Sequence, residues 1–135
     1  MTLRRLSARR RRRITEAEPW RTELRAQGWC DWCASDRHGL DIHEVSGGAT
    51  RGLELDKPFS TNLLCRRCHD DLESLPKSHA VCIGLALIRY RRPESYNLEW
   101  FYRLTARRWP SEELVERWWQ RMLLGQTTAY TKDFS

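Results

Sequence analysis

Two Cys-x-x-Cys pairs constrain this chain more than any other feature. Cys30-Asp-Trp-Cys33 and Cys65-Arg-Arg-Cys68 are separated by 31 residues. Each pair turns two thiolates toward one point, and four thiolates close a tetrahedral Zn2+ shell. A closed shell leaves no open coordination position, so zinc held there is structural and supplies folding free energy to the intervening segment. A RING-type arrangement is excluded by count, because it needs eight ligands in two sites. The fifth cysteine, Cys82, lies in an apolar run and reads as a buried small hydrophobe. A disulfide framework is not expected, since no apolar leader precedes a cleavage site. No run of 18 apolar residues is present either. The expectation is a cytoplasmic chain with no membrane partner.

At 135 residues the chain suits one compact domain. Its net charge of +6 is concentrated at one end. Residues 1–13 hold seven arginines (Arg4, Arg5, Arg9, Arg10, Arg11, Arg12 and Arg13) and no acid, which leaves the rest at −1. Guanidinium forks fit phosphate oxygens, so this stretch reads as a basic disordered arm that tethers nucleic acid through counterion release. The competing reading is a solvated tail serving solubility.

The remainder predicts a mixed, mostly helical α+β chain. A short helix is expected over Ile14–Gly28, with Pro19 in its first turn and Gly28 at its stop. Leu40–Val45 reads as a short strand, Ser46–Thr50 as a glycine turn, and Asn62–Cys65 as a second apolar run. Helices follow at Arg66–Ser74, His79–Tyr90 and Asn97–Arg107. A last helix is capped by Ser111 and stopped by Gly125. The expected organisation is the arm (1–13), a zinc-bearing core with its preceding helix (14–75), a helical extension (76–125) and a tail (126–135). Seven tryptophans supply apolar area to a small core in preference to stacking on bases. The Trp118–Trp119 helix is a candidate homodimer face.

His43, Asn62 and His69 lie in that order between or beside the cysteine pairs. Neighbouring helix positions diverge by about 100°, so His69 is expected to face away from a zinc held by Cys68.

This bracketed pattern resembles the HNH nuclease family. The matching stretches are Cys30–Cys33, LDIHEV, Gly47-Gly48 and Asn62-Leu-Leu-Cys65-Arg-Arg-Cys68-His69. The chain looks particularly like small phage-encoded HNH proteins with His-Glu on the strand and an LDKPF-like segment, here Leu55–Phe59. The resemblance implies a ββα-metal unit stapled by the four-cysteine zinc site, with an N-terminal helix and a C-terminal helical extension. It implies metal-dependent cleavage of DNA, double-stranded in the first instance, by an enzyme of phage or mobile-element origin. The alternative is a zinc module that binds DNA or a protein partner without cutting.

Carried over residue by residue, the resemblance makes His43 and His69 ligands of a second, catalytic divalent metal. Mg2+ or Mn2+ is the family's usual ion, and imidazoles also accept Ni2+ or Zn2+. Asn62 orients the active-site strand. Glu44 stands where the family has its general-base histidine. It is either the base, with burial raising its pKa, or a metal ligand assisted by Asp41 or His38, or the mark of a lost activity. Arg51, Arg66 and Arg67 are candidates for positioning the phosphate backbone.

Overall fold

The computed structural model describes residues 7–36, 39–47, 53–54 and 56–125. Its elements are α1 (Ala8–Arg25), β1 (Leu40–Glu44), β2 (Thr61–Cys65), α2 (Arg66–Glu73), α3 (Lys77–Arg91), α4 (Leu98–Thr105) and α5 (Glu112–Leu123). Single 3-10 turns at Pro58–Ser60 and Pro93–Ser95 lead into β2 and α4. The molecule is mixed α/β and mostly helical, with a two-stranded antiparallel sheet and a four-cysteine cluster able to bind a metal.

The arm does not stay outside the fold. The Ser7 side chain accepts a hydrogen bond from the Arg10 amide and caps α1, which begins six residues before Ile14. Arginine is a good helix former, so one cap carries the helix through the arginine run. Pro19 consequently sits inside the helix and leaves the Thr15 carbonyl without its amide partner. Residues 1–6 and the tail, 126–135, lie outside the described residues. Lower down, Ala17 and Leu24 are buried, and the Trp20 indole donates to Thr61 Oγ1 at 2.9 Å, pinning the helix to β2.

The register pairs Leu40 with Cys65 and His43 with Asn62. All five residues of β2 are buried, whereas β1 is largely half-buried. Helix α3 is the centre of the molecule: every residue from Ala80 to Ile88 is buried. It packs on β2 and on α5.

Gly84 is what lets α3 come so close to the sheet. A Cβ there would stand 2.9 Å from Asn62 Oδ1 and 3.1 Å from Val45. With that space open, Asn62 Nδ2 donates to the Gly84 carbonyl at 3.0 Å. The helical cost of glycine, roughly 1 kcal/mol against alanine, is accepted for this contact.

Helix α5 starts where its sequence says, with Ser111 Oγ accepting from the Leu114 amide at 3.1 Å. Trp118 and Trp119 turn inward: one ring packs on His79 at 4.7 Å between centroids, and the other stacks on Tyr90 at 4.2 Å. Both indoles are buried within the chain, against α3. The large apolar side chains left exposed among the described residues are Leu53, Tyr90, Trp100, Leu123 and Leu124. No helix among the described residues is long and apolar enough to cross a membrane.

Candidate functional site

The first knuckle is a tight turn. Ala34 N donates to the Cys30 carbonyl at 2.9 Å, and Ala34 itself takes a left-handed φ of 64°. The second knuckle straddles the junction of β2 and α2, where Cys65 Sγ caps the helix by accepting from the Cys68 amide. Together they bring four sulfurs within 4.8 Å of one another. Cys33 Sγ and Cys65 Sγ are 3.8 Å apart. That is the spacing of a thiolate tetrahedron with Zn–S near ~2.3 Å, so the four cysteines are positioned to hold a metal ion and the donor set is consistent with structural zinc. A hydrogen bond from Cys68, above all, lowers the Cys30 thiol to about 5, while burial pushes Cys33 up.

Asp31, inside the first knuckle, is a buried hub that sequence reading passed over. Its carboxylate pairs with Arg92 through both oxygens and also accepts from the Leu63 amide at 2.9 Å and Gln27 Nε2 at 2.8 Å. Its own amide donates to the Leu63 carbonyl at 2.8 Å, and Arg91 Nε donates to its carbonyl at 2.8 Å. One side chain therefore ties the knuckle to β2 and to the end of α3. A short acid between two cysteines is the only trace of this in the sequence.

Glu54 performs a similar service after β1. It is fully buried and accepts from the Ser46 amide at 2.6 Å, the Gly47 amide at 2.7 Å and the Ser60 hydroxyl. The turn leaving β1 is held by this one carboxylate, whose pKa is raised chiefly by burial.

The second cluster lies on the other side of α2. His69 follows Cys68 but points away from the sulfurs, as helix geometry requires. Its ring meets His43 edge-on with centroids 5.1 Å apart. Asp41 Oδ2 stands 3.5 Å from His69 Nδ1, and Glu73 Oε1 stands 3.1 Å from His69 Nε2. His43, His69 and Glu73 each present a donor atom within 4.8 Å of the others. His43 Nε2 is buried without a hydrogen-bond partner. Burial, with smaller pushes from His69 and Lys77, lowers His43 to about 3, so its imidazole is neutral and its free lone pair can ligate.

Asp41 and His43, two apart on β1, thus both reach His69 from one face of the strand. Glu73 was missed, although His69 and Glu73 are four apart and share a helix face. Asn62, directly opposite His43 in the register, faces α3 and donates to the Gly84 carbonyl. Arg66 reaches back to Asp41 at 3.2 Å, and Arg67 lies on the exposed side of α2. His38 and Arg51 lie outside the described residues.

His43, Glu44, His69 and Glu73 open into a cleft of about 900 Å3. Ser7, Arg9, Arg10, Arg13, Ile14 and Arg21 of the α1 region line it as well, and Lys77 joins them from the start of α3. Arg11 and Arg12 are not among its lining residues. The arrangement can hold a divalent cation between imidazole and carboxylate donors and receive an anion beside it. Comparison with family models, with curated proteins and with solved structures yields no match.

Proposed function

We propose that this chain is a metal-dependent endonuclease of HNH type that hydrolyses phosphodiester bonds in DNA. The observation that carries the reading is the His43–His69–Glu73 donor set, which opens into a cleft bordered by four arginines and a lysine. A zinc module that only binds has no need of a neutral, unpartnered imidazole beside a second imidazole. The order of two antiparallel strands and a helix, with cysteine pairs around them, supports the resemblance of the sequence to that family.

A divalent ion, Mg2+ or Mn2+ in the first instance, would be held by His43, His69 and Glu73 and would supply positive charge for a phosphate oxygen and the departing 3′ oxygen. The chain's own residues do the rest. Asp41 faces Nδ1 of His69, which fixes the ring and leaves Nε2 toward Glu73. Glu44 lines the same cleft and takes the proton of the attacking water. Asn62, beside His43 in the register, ties β2 to α3 through the Gly84 carbonyl. Zinc held by Cys30, Cys33, Cys65 and Cys68 would fix the start of α2, the helix that carries His69.

Plasmid cleavage with added Mg2+, Mn2+, Ni2+ or Zn2+ tests the proposal. Nicking that is lost in His43→Ala and His69→Ala supports it, and the Glu44→Ala rate measures the part played by that carboxylate. A wild-type protein that retards DNA in a gel but cuts under no metal overturns the enzyme reading in favour of a zinc-framed binding module.

A further inference from the structure

Helix α1 carries arginines on two faces, and its exposed N-terminal pairs on them are equal in charge. Arg9, Arg10, Arg13 and Arg21 line the cleft, whereas their sequence neighbours Arg11 and Arg12 do not. Among the described residues, none of the four cleft arginines is paired with a carboxylate. Arg21 Nε is buried with no hydrogen-bond partner. From Arg9 to Arg21 the helix advances about 18 Å, the axial run of about five phosphates of one strand. Ser7 and the positive end of the helix dipole lie at the same end as Arg9 and Arg10.

From this we infer that the cleft face of α1 is a phosphate track, which lays one nucleic-acid strand across the His43–His69 cluster. This rests on the nuclease reading for what the strand meets there, but the track itself requires only a phosphodiester backbone. It differs from a flexible tether in one respect: position on the helix matters, not charge alone. Guanidinium forks on a rigid rod hold phosphates in register, and they read no bases.

The experiment compares two exposed, adjacent pairs in the full-length zinc-loaded protein, Arg9→Gln with Arg10→Gln against Arg11→Gln with Arg12→Gln. The probe is a fluorescein-labelled 20-base-pair duplex, titrated by anisotropy at several salt concentrations without added divalent metal. The first pair is expected to weaken binding by roughly tenfold or more and to lower the slope of log K on log salt by about 2. The second pair is expected to stay within about twofold of wild type. Arg13→Gln with Arg21→Gln, checked for native circular dichroism, is expected to behave like the first pair. Equal losses in both exposed pairs, or no binding by the wild type, would overturn the track. Failure of the track and failure of the nuclease reading are separable. Cleavage that needs His43 but ignores Arg9 and Arg10 overturns the track alone. Asymmetric binding without cleavage under any metal supports the track and removes the enzyme.

Discussion

Gly84 gives its carbonyl to the Asn62 side chain at 3.0 Å and has no room for a side chain of its own. Alanine at this position gains about 1 kcal/mol of helix propensity and still loses. Its methyl carbon would press on Asn62 and Val45 from within 3.2 Å. Gly84→Ala is therefore expected to cost about 1–3 kcal/mol net, read from denaturant midpoints at constant slope. A variant as stable as wild type would show that α3 does not seat on the sheet through this contact.

Asp31 and Arg92 form a buried ion pair with every carboxylate oxygen engaged. Removing one member strands the other in the interior. Asp31→Asn and Arg92→Leu are each expected to destabilise the fold by about 3–5 kcal/mol. The double variant should lose less than the sum of the two, and strict additivity in the cycle would mean that the pair is not coupled.

Removal of the knuckle metal should be felt at once. Zinc analysis of the purified protein is expected to give about one ion per chain, and none in Cys33→Ser or Cys68→Ser. Zinc binding in small modules is worth about 10–16 kcal/mol, comparable to or greater than the whole stability of a domain this size. Chelation should accordingly abolish the cooperative melting transition of residues 30–73, and an unchanged transition in metal-free protein would contradict a structural role.

Asp41 touches His69 on the nitrogen opposite Glu73. Asp41→Asn is expected to weaken Mn2+ binding by roughly 10- to 100-fold while leaving the zinc content at one. Glu73→Gln should weaken it at least as much. Calorimetric titration of Mn2+ into zinc-loaded protein decides this, and affinities equal to wild type would remove both carboxylates from the site.

Cys82 gives the pH signature. Burial pushes its thiol up from 9.0 to about 11. In the unfolded chain the thiol ionises first, so its contribution is intact below pH 9 and declines as pH rises toward 11. The stability difference between wild type and Cys82→Ala should be flat below pH 9 and move steadily against wild type above it. A flat difference throughout would place Cys82 in contact with water.

Much of this was legible in the residues. The strand at Leu40, the cap at Ser111, the stops at Gly28 and Gly125 and the cysteine cluster all follow from local chemistry that the sequence displays directly. His69 pointing away from Cys68 followed from helix geometry alone. What escaped had long-range causes. Asp31 is an ordinary acid until Arg92, 61 residues away, arrives beside it. Glu54 lies in a connector with no periodicity to flag it. The arginine run reads as disordered because repulsion along it is visible in the sequence, and the cap at Ser7 is easily overlooked. Trp118 and Trp119 present an apolar face whose partner the sequence does not name, and in the fold they pack on His79 and Tyr90 of α3.

Cys68 and His69 are consecutive residues whose side chains serve opposite sides of α2, and this adjacency bears on how such a chain can change over generations. Asp31, Arg92, Asn62 and Gly84 hold the scaffold without lining the cleft. Under the proposed nuclease reading, substitutions at His43, Glu44 or Glu73 alter the cleft and leave these scaffold contacts in place. Substitution of the cysteines, by contrast, removes the cap that Cys65 Sγ gives to α2, the helix that carries His69.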